Sequence, residues 1–377
     1  MRKLLKNNAV QSLLASLICI LLGLFIGYIV LLFINPAGAG EAILNIVKNF
    51  FNYNRPQAQF KYFGTTLIKT APLLMCALSV LFAYKVGLFN IGVAGQYVAG
   101  SCACLYAALA WGWSWLPCML FAIVAGAVFG AVVGLLKSYC NVNEVISGIM
   151  LNWIGLYTAN MILSNVQETG GNHTRDMFSA GRAAILPSLG LDKLFGNKFV
   201  TLAVPLSILL AILVWVVLEK TKLGYELKAT GFNRNAAKYA GMAEHRNIIL
   251  TLVLAGALAG LGGSLFYQTG HEQWTCTASS VPNMGFNGIA ATFLGGLNPI
   301  GTIFSSFFIQ HITEGGSHLD LKLYSPQISS LISSIIIYLC GFVLFMKHAM
   351  TNAINRREER EYREKQARAK TGKGGEA

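Results

Sequence analysis

Apolar runs of about twenty residues recur along most of this chain and constrain its fold more than any other feature. The first spans Leu13 to Ile34, and others cover 66–84, 91–110, 116–136, 145–163, 200–218, 247–267 and 326–347. A helix needs about 20 apolar residues to cross the ~30 Å of bilayer hydrocarbon. No water is present there to satisfy backbone N–H and C=O groups, so only helices and closed barrels can span it. The alternating segments that a barrel requires are missing. The expected fold class is therefore an all-α, polytopic membrane protein. Only 12% of the 377 residues are charged, against about 25% in an average soluble domain.

A net charge of +13 would suggest nucleic acid in a soluble protein. In a membrane protein it follows from Lys and Arg retained in cytoplasmic loops, so the bilayer is the expected partner and nucleic acid is not. Arg2, Lys3 and Lys6 precede a first run too long for a signal-peptide core, which reads as a retained helix. Two glycine-broken pieces, about 285–297 and 302–312, are either two short helices or one re-entrant pair. Counting both gives ten segments with both termini cytoplasmic. Lys85, Lys137 and the Lys/Arg-rich loop 219–246 then lie inside, and the loop 164–199 lies outside. That loop carries Arg175, Arg182, Lys193 and Lys198, which a long loop tolerates. Residues 1–350 read as one transmembrane domain. Residues 351–377 read as a charged cytoplasmic tail, with Glu359 and Arg363 one helical turn apart.

Between segments two and three stands Gly87-Leu88-Phe89-Asn90-Ile91-Gly92-Val93-Ala94-Gly95-Gln96. Irregular backbone at membrane depth is tolerated only where protein covers it or it lines a watery cavity, so a solute path is expected here. Phe89-Asn90-Ile91-Gly92 has an echo in Phe286-Asn287-Gly288-Ile289, which opens segment eight from the opposite side. Such an echo is expected of an inverted repeat, here segments 2–5 and 7–10, whose broken helices frame a central site. The candidate path residues are Phe89, Asn90, Gln96, Asn152, Phe286 and Asn287. Their amides suit a neutral polar solute, and their rings suit a flat apolar face. The competing reading makes Asn90 and Asn287 helix caps, and Phe89 and Phe286 core packing. Gly126, Gly130 and Gly134 form overlapping Gly-x-x-x-Gly steps, expected to pack closely against another helix.

In the 219–246 loop, Asn233 can cap a short helix, Ala236 and Ala237 favour it, and Gly241 can end it in the left-handed region. Gly231 and Gly241 bracket this helix. Ala237, Ala240 and Tyr239, flanked by Arg234 and Lys238, offer it a docking surface for a soluble partner. The alternative is an interfacial helix lying on headgroups. No catalytic set is visible. Residues 296–302 have the glycine spacing of a phosphate loop but lack the Lys before Thr302. The eight cysteines follow no metal-ligand spacing, and no metal or cofactor is expected on this chain. An ion-coupled carrier would place ionisable residues inside its spans, and Glu144 at the edge of segment five is a sparse supply. A purely structural protein would leave the capped loop without a task.

Several motifs come in a recognisable order. They are GLFNIGVAGQ at 87–96, Asn143-Glu144-Val145-Ile146 with Met150-Leu151-Asn152, the loop 224–242, Ala255–Gly263, and Gly285–Ala290 through Leu294–Pro299. Together they resemble the inner-membrane permease subunits of ABC importers for branched-chain amino acids, ribose-type sugars and nucleosides. Within these, the chain most resembles the nucleoside branch linked to basic membrane lipoproteins. The resemblance covers about residues 60–345. It departs from the family at Thr230, at Phe232 and at Ser147-Gly148, where threonines are usual.

The resemblance implies a permease that moves nucleosides, or alternatively ribose- or galactose-type sugars, across a bacterial cytoplasmic membrane. It implies no enzyme on this chain, with ATP and Mg held by a partner ATPase. A coupling helix at 233–240 would seat in that ATPase through Gly231, Asn233, Arg234, Ala236, Ala237, Tyr239 and Gly241. A second permease subunit of different sequence and an external substrate-binding lipoprotein complete the implied assembly.

Overall fold

A computed structural model describes residues 8–320, 322–324, 326–343, 345–353, 355–356 and 359–360. Arg2, Lys3, Lys6 and most of the charged tail, including Arg363, lie outside the described residues. The principal helices are α1 (Asn8–Ile34), α2 (Ala39–Lys48), α3 (Pro56–Lys85), α4 (Val93–Leu109), α5 (Trp115–Tyr139) and α6 (Glu144–Leu163). They continue with α7 (Ala203–Lys220), α8 (Lys222–Phe232), α9 (Arg234–Tyr239), α10 (Glu244–Tyr267), α11 (Asn283–Leu294), α12 (Pro299–Gly315) and α13 (Pro326–Cys340). Among the described residues, extended pairing is limited to two isolated bridges. Among the described residues, six helices are long and apolar enough to cross a membrane, namely α1, α3, α5, α6, α7 and α10. The chain is an all-helical, multi-pass membrane protein.

Burial separates inner helices from outer ones. The most apolar window of α3 is 89% buried and that of α10 is 67% buried, whereas in α1, α5, α6 and α7 the share is 22–33%. α3 and α10 therefore form the centre together with the almost wholly buried α4, and α1, α5, α6 and α7 turn apolar faces outward to lipid. α10 packs on α3, α4 and α5, while α3 packs on α10, α11 and α12. α4 packs on α5 and α6, and α11 packs on α12 and α13.

Glycine lets the central helices meet backbone to backbone. Gly126 and Gly130 of α5 lie against Gly256 and Gly260 of α10, as the Gly-x-x-x-Gly steps predict. Gly100 of α4 also meets Gly260, so three helices converge there. Lipid tails are as apolar as leucine, so this dispersion-rich contact, rather than a hydrophobic driving force, holds the helices together.

The two ends of the bundle gather different loops. At one end Gly87 abuts Gly231, and Ser138 Oγ lies 2.7 Å from His245 Nδ1. At the other, the 164–199 loop pairs with the segment after α10. Thr174 N donates to the Trp274 carbonyl at 2.9 Å and Cys276 N to that of Asn172 at 2.8 Å. Arg175 Nη2 donates to the Leu109 carbonyl at 2.7 Å, fastening the loop to α4.

Several element boundaries differ from the sequence expectation, and of the two alternatives for 285–312 the structure shows two helices. α3 starts at Pro56, well ahead of 66, because proline is favoured in a first turn and the polar stretch behind it continues the helix. Before it, α2 forms with Ala39, Ala42 and Ile46 buried on one face. The final segment breaks at Gly341 rather than running unbroken to 347. Residues 285–312 form two helices joined by the tight turn 295–298, where Gly296 and Leu297 have φ of +66° and +57°. With 12 residues at ~1.5 Å each, α11 is about 18 Å long and cannot cross by itself.

Candidate functional site

The break between α3 and α4 is held together by side-chain amides. Gly87, at φ +76°, turns the chain out of α3, and Leu88 N still donates to the Ala83 carbonyl at 3.0 Å. Asn90 Nδ2 donates to Ser79 Oγ at 3.0 Å and to Gln96 Oε1 at 2.8 Å, and Gln96 Nε2 donates back to Asn90 Oδ1 at 3.2 Å. Asn152 of α6 reaches across the same break. Its Oδ1 accepts from Gly95 N at 2.7 Å and its Nδ2 donates to the Ile91 carbonyl at 3.1 Å. Each of the three amides is at most 2% exposed. Asn152 thereby satisfies backbone groups that an interrupted helix leaves orphaned in an apolar setting, while Asn90 and Gln96 satisfy one another and Ser79.

The second opening touches the first. A methyl built on Gly285, in the first turn of α11, would come 2.6 Å from the Ala94 Cα of α4. Gly288 lies against Cys76 and Ala77 of α3, and Thr292 Oγ1 donates to the Ala77 carbonyl at 2.7 Å. Phe286 is exposed, while Asn287 and Phe89 are half-buried. The structure thus brings Asn90, Gln96 and Asn152 into one bonded cluster, with the start of α11 beside it.

The inner loop folds as a helical hairpin against the start of α10. Asn233 caps α9, its Oδ1 accepting from Ala236 N at 3.0 Å. The helix ends with Gly241 N donating to Lys238 O and Met242 N to Ala237 O, Gly241 being at φ +80°. Asn233, Arg234, Ala236, Tyr239, Gly231 and Gly241 are exposed, whereas Ala237 turns inward and is 4% exposed. Phe232 and Tyr239 project outward almost free, at 95% and 93% exposure. α8, which the sequence reading did not anticipate, anchors the hairpin. Asn247 Nδ2 of α10 donates to its buried Thr230 Oγ1 at 2.8 Å, so this departure from the family loop has a structural partner.

Sequence reasoning missed one charged cluster. Lys69 Nζ lies 3.0 Å from Glu314 Oε1 of α12 and 3.4 Å from Glu272 Oε1 beyond α10, joining three separated elements. A lysine inside an apolar run was the available signal. Beside this cluster, burial and then the Lys69 charge hold the His271 imidazole below its ordinary value. Its buried Nδ1 has no hydrogen-bond partner.

A family model described as branched-chain amino acid transport system / permease component matches residues 62–341, which include both openings and the inner loop. The guanosine ABC transporter permease protein NupP of Bacillus subtilis is 31% identical over 333 residues, 87% of this chain and 92% of its own. The nucleoside ABC transporter permease protein NupB of Lactococcus lactis is 31% identical over 344 residues, 88% and 91% of the two chains. The glucose ABC transporter permease protein TsgB13 of Haloferax volcanii is 29% identical over 310 residues, 78% and 80%. No solved structure matches.

Proposed function

The chain belongs to the branched-chain amino acid transport system permease component family, and on that premise we propose that it is the membrane subunit of an ATP-driven importer of nucleosides. The carrying observation is the near-full-length likeness to two permeases named for guanosine and for nucleosides. The glucose permease matches over a smaller share of both chains, which leaves sugar as the alternative cargo. As a permease, the chain is a transport subunit and not an enzyme. ATP and Mg belong to a separate ATPase, and selectivity to an external binding lipoprotein. A second, non-identical permease subunit completes the pore in a bacterial cytoplasmic membrane.

Ten segments then run through the bilayer with both termini inside. They are α1, α3–α7 and α10–α13, with α11 and α12 counted as two. Residues 1–350 make one permease domain, with 219–246 facing the cytoplasm and 164–199 outside, and 351–377 make a cytoplasmic tail. Reciprocal packing supports an inverted repeat of α3–α6 with α10–α13. The contacts α3 to α11 and α12 mirror those of α10 to α4 and α5. The adjoining starts of α4 and α11 support a path through Phe89, Asn90, Gln96, Asn152, Phe286 and Asn287. A solute passing there exchanges its own hydrogen bonds for those the amides make with one another.

Cells expressing the whole transporter are expected to take up labelled guanosine, and excess unlabelled nucleosides should compete whereas ribose and glucose should not. Competition by the sugars alone would transfer the assignment to them. Docking has its own measurement. Phe232→Glu with Tyr239→Glu is expected to reduce co-purification of the ATPase at least ~tenfold, because exposed aromatics are the anchors expected of an interface. The permease itself should keep its thermal stability, since neither ring is buried. Ala237→Glu, by contrast, should unfold α9 before it affects docking.

A further inference from the structure

A cavity of about 640 Å³ beside the start of α3 shares no lining residue with the two openings or the inner loop. Six phenylalanines line it: Phe50 and Phe51 from the turn after α2, Phe60 and Phe63 from α3, and Phe307 and Phe308 from α12. Leu24 of α1 stands on the remaining side. Asn197 Nδ2 donates to the Lys61 carbonyl at 3.1 Å, which places the cavity at the end of the bundle that gathers the 164–199 loop. From there it runs inward. Phe307 stands about 12 Å before the end of α12 at Gly315, at ~1.5 Å per residue. Leu24 stands about 15 Å before the end of α1 at Ile34 on the same scale. That depth is about half of the ~30 Å hydrocarbon, the reach of one lipid leaflet.

The walls have little to offer a polar guest, because their two polar side chains are already engaged. His311 Nε2 donates to the Val47 carbonyl at 2.8 Å, and its Nδ1 lies 3.2 Å from Asn49 Nδ2. Gln59 Nε2 donates to the Tyr53 carbonyl at 2.7 Å. A nucleoside or sugar held here would leave its hydroxyls unpaired in an apolar setting, which is costly. The rings also hold one another in place. Phe50 and Phe63 have centroids 5.0 Å apart, Phe63 and Phe307 5.8 Å, and Phe307 and His311 5.9 Å. Rotation of one side chain therefore does not close the space, and an apolar chain fits it.

The mouth of the cavity is basic. Lys48 follows the lining residue Val47, Lys61 follows Phe60, and Arg55 stands between them; all three are exposed. None of them is ion-paired with an acid among the described residues. The sequence holds no acid at all between Glu41 and Glu144. Tyr53 and Tyr62 stack at 3.9 Å in the same segment, and tyrosine is enriched at the headgroup level of a bilayer. Unpaired cations above an apolar slot complement an anionic headgroup above an acyl chain. We propose that this cavity is a binding site for an anionic phospholipid, one acyl chain lying among the phenylalanines and the phosphate facing Lys48, Arg55 and Lys61. Bound there, the lipid occupies the gap between α1 and the α3–α12 pair and stabilises the fold by mass action.

The test uses the full-length chain, purified in dodecyl maltoside and depleted of lipid. It is titrated with dioleoyl phosphatidylglycerol or dioleoyl phosphatidylcholine and read by native mass spectrometry and melting temperature. One phosphatidylglycerol per chain is expected to be retained at least ~tenfold more tightly than phosphatidylcholine, the scale that three cations near an anionic headgroup supply. Its binding should raise the melting temperature. Lys48→Gln with Arg55→Gln and Lys61→Gln should bring the two lipids within about twofold of each other. Leu24→Trp with Val47→Trp, which puts two indoles into the cavity, should weaken retention of both lipids at least ~tenfold. Val124→Trp, at an exposed position on α5, should retain them as wild type does. The three basic positions are exposed, so the glutamine variant decides the matter if the tryptophan pair does not fold. Equal retention of the two lipids by the wild type would overturn the proposal, and so would undiminished retention by the tryptophan pair. So would a lipid-free dimer that Phe51→Glu with Phe60→Glu breaks, because the groove would then seat a second copy of the chain.

Discussion

Gly260→Ala is expected to remove folded protein from the membrane, while Gly40→Ala is expected to leave its level unchanged or slightly raised. The two substitutions add the same methyl. At Gly260 it would overlap the Ala122 carbonyl and lie 3.0 Å from the Gly126 Cα, both backbone atoms of α5. Backbone cannot rotate away, so α5 and α10 would have to separate along a contact that also includes Gly100 of α4. Overpacking a well-packed core costs about 1–3 kcal/mol where side chains can yield, and here none can. Against a total stability of about 5–15 kcal/mol, the loss should lower the amount of monodisperse protein in detergent by at least ~tenfold. At Gly40 nothing lies within 4 Å, and alanine in a helix is favoured over glycine by about 1 kcal/mol. Size-exclusion profiles of the two variants, run together, check the pair. Equal yields would mean that the glycine crossing is not tight.

Asn152→Leu is expected to loosen the break before α4 and to reduce uptake at least ~tenfold without removing the protein from the membrane. The leucine keeps the volume but leaves Gly95 N–H and the Ile91 carbonyl without their partner. Each buried group left unmade costs about 1–3 kcal/mol. That energy falls on the irregular stretch 86–92, which can open locally, and not on the α5–α10 contact. Hydrogen exchange should therefore accelerate in peptides covering 86–96 and stay unchanged in those covering 250–265. Met150→Leu, at an exposed position on the same helix, is the matched control and should behave as wild type. Accelerated exchange everywhere would show that Asn152 supports the whole bundle.

The parts legible in the sequence are those with a local physical signature. Runs of twenty apolar residues announce helices by length alone, and Gly126-x-x-x-Gly130-x-x-x-Gly134 announces its contact because only glycine admits a neighbouring backbone so closely. Asn233 and Gly241 announce α9 because capping is settled within a few residues. What remained illegible depends on partners distant in the chain. Lys69 lay in plain view inside its apolar run, but Glu272 and Glu314 come near it only once α3, α10 and α12 are packed. The bond between Asn90 and Gln96 could not be read either, since six residues across a break have no fixed geometry until Gly87 sets the turn. α8 has no apolar period and is held by Thr230 and Gly224, whose contacts on α10 and α7 are tertiary.

The shortness of α11 bears on how the protein is made. A segment about 18 Å long cannot partition into lipid by its own hydrophobicity as the ribosome delivers it. Its Gly285 lies against Ala94 of α4 and its Gly288 against Cys76 and Ala77 of α3, so the surfaces that shelter it are supplied by helices synthesised earlier. Insertion of the α11–α12 hairpin must therefore wait until α3 and α4 have come together. The last third of the chain enters the membrane as cargo of the first two, and an early packing defect becomes a defect of topology.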